Sequence, residues 1–412
     1  MLSFHTCPLA TLGGKDTSGM NVYVRDLTRY LGQHGVQVDV FTRSQDEHVP
    51  KVLHDLGYGN RVVHVPAGPE VPLQKQELVA YLPQFVKGIQ SFAKSKGVHY
   101  DLIHSHYWMS GLAALDLQET WGIPIIHMFH TLGIMKNRVA QSPGEKEGDY
   151  RIEGERKVMN GVDRIIAATP AELAQIQWLY QTDTQRIVVI PPGVDTCHFY
   201  PIPVDEAKEF INIPRDSKML LYVGRIEPLK GLDVLLEAIG KYCLLDEIQS
   251  SHLFLSIIGG DPDATPEYLT AEMMHLQSMR EHYGIQDLVT FLGKRSQDTL
   301  PYYYSAAEAV VVPSHYESFG LVALEAMACG TPVVASQVGG LAFLVQDGVT
   351  GYTVPSGDPL ALCDRLTKLI MDDELRREMG ASAASFAKEY AWDIITQRII
   401  SLYNQVLYSK PP

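Results

Sequence analysis

Two cations stand five residues apart in Val223-Gly224-Arg225-Ile-Glu-Pro-Leu-Lys230-Gly231, directly after an apolar run. Arginine offers a planar fork of donors and lysine a compact point charge, so such a pair at a strand's carboxyl end can grip a diphosphate. Two solvated surface cations are the bland alternative, and their position at the strand end, more than their charge, favours the grip. Further on, Ser314-His-Tyr-Glu317-Ser318-Phe319-Gly320-Leu321-Val-Ala-Leu-Glu325 holds two carboxylates eight residues apart, one in a loop and one over a turn into a helix. Carboxylates so placed accept hydrogen bonds from sugar hydroxyls. The rival chemistry is a glycosidase acid/base pair, which needs no phosphate-gripping cations. Either glutamate alone reads equally well as a cap or a surface residue.

Ile125-Ile-His127-Met-Phe-His130-Thr-Leu-Gly133 ends a buried strand in two histidines. Strand alternation sends them to opposite faces, so His127 reads as a satisfied core residue and His130, at the carboxyl end, as the one that meets a ligand. Gly13-Gly14-Lys-Asp-Thr-Ser-Gly19-Met-Asn21 is a glycine-rich turn leading into a helix near 21–34. Its amides can approach a phosphate, but it matches neither G-x-G-x-x-G nor a Walker A loop, so alone it is weak. Asp261-Pro-Asp263-Ala-Thr265 imitates a phosphatase D-x-D-x-T; after Gly259-Gly260 it reads as a loop.

These residues need a frame. Short β-branched runs alternate with helical stretches throughout, the pattern of parallel βα units. The first half has candidate strands at 36–41, 61–65, 102–104, 123–129, 164–168 and 186–190, and residues 2–4 look like the end of another. Pro191-Pro192-Gly193 marks the boundary. A second series follows at 219–223, 253–258, 289–292, 309–312, 332–335 and 352–354, with helical periodicity at 232–239, 320–329 and 391–407. The fold class expected is α/β, two Rossmann-like doubly wound domains facing across a cleft, with ligands at the strands' carboxyl ends.

The chain has 412 residues, 46% hydrophobic and 20% charged, an ordinary globular composition. Its net charge of −14 argues against non-specific nucleic-acid binding. Residues 1–193 carry a net −1 and the rest −13, so the front half can still hold a cationic pocket. Five scattered cysteines with no C-x-x-C spacing argue against a disulfide framework or zinc cluster and fit a reducing compartment. No run suits a membrane helix and the start lacks signal-peptide features, so a cytoplasmic protein, with no membrane partner and as a monomer, is the expectation.

Taken in order, H-T-C-P-L…G-G-K-D-T-S-G-M-N-V-Y-V, H-S-H-Y-W-M-S-G, H-T-L-G, V-G-R-I-E-P-L-K-G and E-S-F-G-L-V-A-L-E-A-M-A-C-G-T-P-V-V-A closely resemble retaining GT-B glycosyltransferases of the sucrose synthase and sucrose-phosphate synthase type. The resemblance runs over the whole chain. It implies an acceptor-binding domain at 1–192, a nucleotide-sugar-binding domain at 193–388 and a terminal helix at 389–412 returning to the first. It implies that Gly14, Arg225 and Lys230 meet the donor diphosphate and that Glu325 accepts from the ribose. Glu317, with backbone from Ser318, Phe319, Gly320 and Leu321, would hold the transferred sugar, and His130 would bond it near the reacting carbon. The base would rest near Lys294, Arg295 and Leu300. His130, Glu317, Arg225 and Lys230 would thus carry catalysis, with no metal or other cofactor required.

For the acceptor, Lys75, Lys136 and Arg151 match family positions that hold a phosphate, and Tyr107 adds a hydroxyl. Three cations in a neutral half favour a phosphorylated acceptor over free fructose. The activity expected is that of a sucrose-phosphate synthase, transferring glucose from UDP-glucose to fructose 6-phosphate with retention. A relative using inositol phosphate is the alternative within the class. A non-catalytic sugar-binding protein and a nucleotide-sugar epimerase are alternatives outside it.

Overall fold

An unbroken run of valine, isoleucine and leucine can be hidden only in a strand covered on both faces, which is why these runs become parallel strands. A computed structural model describes residues 1–10, 19–140, 142–242, 252–262, 264–265 and 269–408. Two compact units divide the described residues: those of 1–10, 19–193 and 392–408 form one, and those of 194–391 the other.

The first unit contains β1 (Asp39–Arg43), β2 (Val52–Leu53), β3 (Arg61–Val65), β4 (Ile103–His106), β5 (Ile125–Met128), β6 (Arg164–Ala167) and β7 (Ile187–Val189). The sheet runs β2-β3-β1 on one side and β4-β5-β6-β7 on the other. Residues 1–4 join the halves: Leu2 bridges both Phe41 and Ser105 in parallel, its amide donating to the His104 carbonyl at 2.9 Å while the Ser3 amide donates to Phe41 at 2.9 Å. The first residues are therefore the central strand. Only β2, an antiparallel edge strand on β3, escaped the periodicity; two residues are too few to show an alternation.

The second unit contains β8 (Lys218–Val223), β9 (Leu253–Ile258), β10 (Val289–Gly293), β11 (Ala309–Val312), β12 (Val333–Ser336) and β13 (Gly351–Val354). All are parallel, in the order β10-β9-β8-β11-β12-β13. In both units the first strand lies inside the sheet: β1, β2 and β3 lie on one side of residues 1–4 and β4 onward on the other, while β9 and β10 lie on one side of β8 and β11 onward on the other. The carboxyl ends of residues 1–4 and β4 in the first unit, and of β8 and β11 in the second, then form a topological switch point, where ligands of such sheets bind.

The helix Trp392–Tyr408 belongs to the first unit. Its Trp392 ring lies edge-on to Tyr23 at 5.4 Å and stacks near Tyr30 at 6.2 Å, both on the helix Gly19–Gln33. Cys363 is disulfide-bonded, which corrects the expectation of unpaired thiols at that position; Cys7, Cys197 and Cys329 are free. No helix among the described residues is long and apolar enough to cross a membrane.

Candidate functional site

In the second unit the switch point lies between β8 and β11, and the two motif loops leave from these strands. Backbone ties them together: the His315 amide donates to the Leu229 carbonyl at 2.9 Å. Gly231 sits at φ +66° where a Cβ would come within 2.1 Å of the Pro313 oxygen, so only glycine permits this approach. Across the seam Lys230 Nζ meets Glu317 Oε2 at 2.5 Å, with side chains 21% and 19% exposed. Arg225 reaches Glu227 at 2.6 Å. Both expected diphosphate cations thus hold a carboxylate.

Behind this loop, Gly339 (φ +45°) would carry a Cβ 1.8 Å from the Glu317 oxygen, and the Gly340 amide donates to that same oxygen at 3.1 Å. This Gly-Gly pair fixes the loop that holds Glu317, and the sequence reading missed it because a glycine pair after a strand looks like any turn. Gly320 opens the helix Leu321–Ala328, and Glu325 within it is buried. The Tyr304 hydroxyl donates to Glu325 at 2.8 Å. Ser318 and Leu321 are half-buried and Phe319 buried in the same turn. Lys294 and Arg295 are exposed after β10, Arg295 Nε donating to the Tyr303 hydroxyl at 3.1 Å, while Leu300 is buried at the start of its helix. Gly14 and Asp263 lie outside the described residues.

In the first unit the switch point lies between residues 1–4 and β4, and His5 and Tyr107 leave from it with rings 4.4 Å apart. Tyr107 (φ 71°) and His130 (φ 61°) both occupy the left-handed region, costly for side-chain-bearing residues and frequent at functional sites. Arg151, on the helix Asp149–Gly161, lies over the Tyr107 ring at 5.0 Å and is 1% exposed. Its guanidinium spans Glu147 at 2.6 Å, Glu155 at 2.8 Å, and the Thr131 carbonyl and hydroxyl at 3.0 Å each. Lys136 holds the same Glu147 oxygen. Burial pulls the Arg151 pKa down, but Tyr107, Glu155 and Glu147 outweigh it and keep the cation. Burial raises the Glu147 pKa, and Arg151, Lys136 and Lys75 together bring it below its usual value.

Lys75, which opens the helix Lys75–Leu78, also acts on His5, whose pKa falls through burial first and then Lys75, His130 and Arg151. Lys75, Lys136, Arg151 and Tyr107 therefore share one neighbourhood, as grouped from the sequence. Glu147, Glu155 and Thr131 were not foreseen, although Glu155 stands four residues after Arg151, a spacing that puts two helical side chains on one face.

His127 is buried in the core as read, with Nδ1 2.8 Å from the Ser105 hydroxyl, but it is only half satisfied: its Nε2 has no hydrogen-bond partner among the described residues. His130 Nε2 lies 3.1 Å from His106 Nδ1, and burial pushes its pKa down to about 3. The arrangement offers a buried anion seat and a neutral histidine in one unit. In the other it offers cations and carboxylates suited to a diphosphate and sugar hydroxyls.

A model described as "Glycosyl transferases group 1" matches residues 203–386, and one described as "Glycosyltransferase Family 4" matches 17–197. The D-inositol 3-phosphate glycosyltransferase of Actinosynnema mirum is 39% identical over 409 residues, covering 98% of this chain and 96% of the relative. That of Corynebacterium jeikeium is likewise 39% identical, covering 98% and 96%. Among solved structures, the sucrose-phosphate synthase from Thermosynechococcus elongatus superposes with a TM-score of 0.90 at 33% identity over 99% and 98% of the two chains. Anabaena HepE in complex with UDP and glucose superposes at 0.75 with 19% identity over 98% and 99%, a likeness of fold. These findings correct the expectation of a sucrose-phosphate synthase acting on fructose 6-phosphate. Relatives at 39% identity over nearly the whole chain carry the inositol phosphate name, against 33% for the synthase. The physical reason is that the residues read for the acceptor were chosen for a phosphate, which both acceptors carry, and none of them was read for the ring attached to it.

Proposed function

We propose, on the premise that the chain belongs to the group 1 glycosyltransferases, that it transfers a hexose from a UDP-sugar to a hydroxyl of an inositol phosphate, with retention. The observation that carries the acceptor assignment is the convergence of Lys136 and Arg151 on the Glu147 carboxylate, beside Lys75. A carboxylate already seated between two cations marks a place built for oxyanions, and a phosphate is the stronger acceptor of such charge-assisted bonds. A free polyol brings no oxyanion to take the place of that carboxylate.

In this reading Arg225 and Lys230 take the donor diphosphate, releasing Glu227 and Glu317. Glu317 then accepts from the hydroxyls of the transferred sugar, and Glu325, oriented by Tyr304, accepts from the ribose. His130 bonds the sugar near its reacting carbon. The acceptor oxygen forms its bond to the anomeric carbon on the face from which the diphosphate departs. The bond from that carbon to the diphosphate oxygen breaks, and a donor phosphate oxygen receives the acceptor proton. The work asked of the protein is positioning and stabilisation of charge on the leaving diphosphate. No metal is assigned a role.

Incubation with UDP-glucose or another UDP-hexose, together with D-inositol 3-phosphate, fructose 6-phosphate or free inositol, tests this. UDP release and the anomeric coupling of the product are followed. Transfer to inositol phosphate alone, in the α-configuration, is expected. Transfer to fructose 6-phosphate but not to inositol phosphate sinks the acceptor reading, and an inverted product sinks retention.

A further inference from the structure

Strand β4 puts His104 and His106 on one face, their rings 4.4 Å apart. His106 Nδ1 lies 3.1 Å from His130 Nε2, and the edge of the Tyr23 ring approaches both, with centroids at 5.6 Å from His106 and 5.2 Å from His130. The His104 Nδ1 in turn lies 2.7 Å from the Tyr403 hydroxyl on the terminal helix. His106 is fully buried, and its Nε2 has no hydrogen-bond partner. Among the described residues no carboxylate bonds any of these three rings. The groups acting on His106 beyond its burial are His104, His130, His127 and the chain's amino terminus, all of which disfavour a proton.

Both His106 and His130 are therefore neutral, and each carries one N–H. Two arrangements share the single proton between them. If His130 Nε2–H donated to His106 Nδ1, the His106 proton would sit on Nε2, a buried donor with nothing to receive it. If His106 Nδ1–H donates to His130 Nε2, the partnerless His106 Nε2 is a bare acceptor. An orphaned buried N–H is the rarer and costlier state. The second arrangement leaves the His130 proton on Nδ1, which has no partner among the described residues on a ring that is part-exposed.

We infer that His106 is a positioning residue that locks His130 in its Nδ1–H tautomer, so that His130 meets its ligand as a hydrogen-bond donor and not as a base. The inference rests on the reading of His130 as a sugar-contacting residue only for its consequence. With Nε2 filled by His106 and Nδ1 protonated, His130 has no lone pair for the acceptor proton, in keeping with the proposed transfer of that proton to an oxygen of the departing diphosphate. The donated N–H instead faces a sugar oxygen.

Long-range ¹H–¹⁵N spectra of the full chain with ¹⁵N-labelled histidine, assigned with His130→Gln and recorded without substrates, test the lock independently of any activity. Protonated Nδ1 and bare Nε2 on both His106 and His130 are expected. A protonated Nε2 on His130 overturns the inference, whatever reaction the protein performs. His106→Leu should return His130 to a mixture of tautomers and lower kcat by about 3- to 10-fold, the effect of one neutral hydrogen bond, with acceptor KM unmoved. His106→Asn, whose amide can donate from the Nδ1 position, should restore most of the loss. An unchanged His130 spectrum in His106→Leu, or a change confined to acceptor KM, also overturns it.

Discussion

The two units share a strand order and place their candidate residues at the same topological position, yet they hold charge in opposite ways. In the first, Arg151 is 1% exposed and bound on every side by Glu147, Glu155 and Thr131. In the second, Lys230 and Arg225 are 21% and 34% exposed and each holds a single carboxylate. A buried charge is tolerable only with all its partners in place, so removing one side is expensive. A part-exposed pair is screened, adds little to stability, and can exchange its carboxylate for a ligand. The side proposed for the acceptor is thus built into the core, and the side proposed for the donor into loops whose ion pairs are part-exposed.

The largest expected effect that would sharpen this contrast is on pH. Six first-unit histidines, His5, His64, His104, His106, His127 and His130, have pKa values depressed by burial, His104 and His130 to about 3. Unfolded, each takes a proton near its ordinary 6.5, so their contribution is complete above that pH and is lost as pH falls through 6.5 toward 3. Each such group costs about 1.4 kcal/mol per pH unit. Hydrogen exchange at pH 5.5 against 7.5 should show the first unit opening well ahead of the second; equal loss in both breaks the comparison.

Next in size, Arg151→Ala should destabilise by about 3–5 kcal/mol, because Glu155 would be left buried without a counter-charge and Glu147 with Lys136 alone. Denaturant unfolding followed by Tyr107-region probes checks it, and a loss below about 1 kcal/mol would place Arg151 with the surface cations. Lys230→Ala should leave stability within about 1 kcal/mol but weaken UDP binding by about 1.5–3 kcal/mol, roughly 10- to 150-fold. Calorimetric titration with UDP measures this, and an unfolded variant would contradict it. The smallest effect is expected for Glu147→Gln. Removing the resident anion should tighten binding of inorganic phosphate or acceptor several-fold, by about 1 kcal/mol. Weaker binding would show that Glu147 arranges the cations instead of competing for them.

Much of the frame was legible. β3, β9 and β11 fall on the residues read from the apolar runs, and the other long strands differ by one to three residues at an end, because an unbroken β-branched run has few other ways to be buried. The motif residues were legible as types. Their partners were not, since no local rule joins Lys230 to Glu317 across 87 positions or His106 to His130 across a neighbouring strand. Tyr23 and Tyr403 gave no signal either: an aromatic residue on an apolar helix face reads as core, and only packing shows which histidine it meets.

The amino-acid sequence by itself determined the alternation of strands and helices, the two doubly wound units, and which residue types stand at the strands' carboxyl ends, because these follow from local periodicity and turn chemistry. The net charge of −14 gave no reason to expect nucleic acid, and it concealed a cluster of buried and half-buried cations. Only the tertiary structure decided which charges are sealed in pairs and which stand part-exposed, and which histidines meet. Those depend on desolvation and on contacts between residues far apart in the chain, and neither has a local signature.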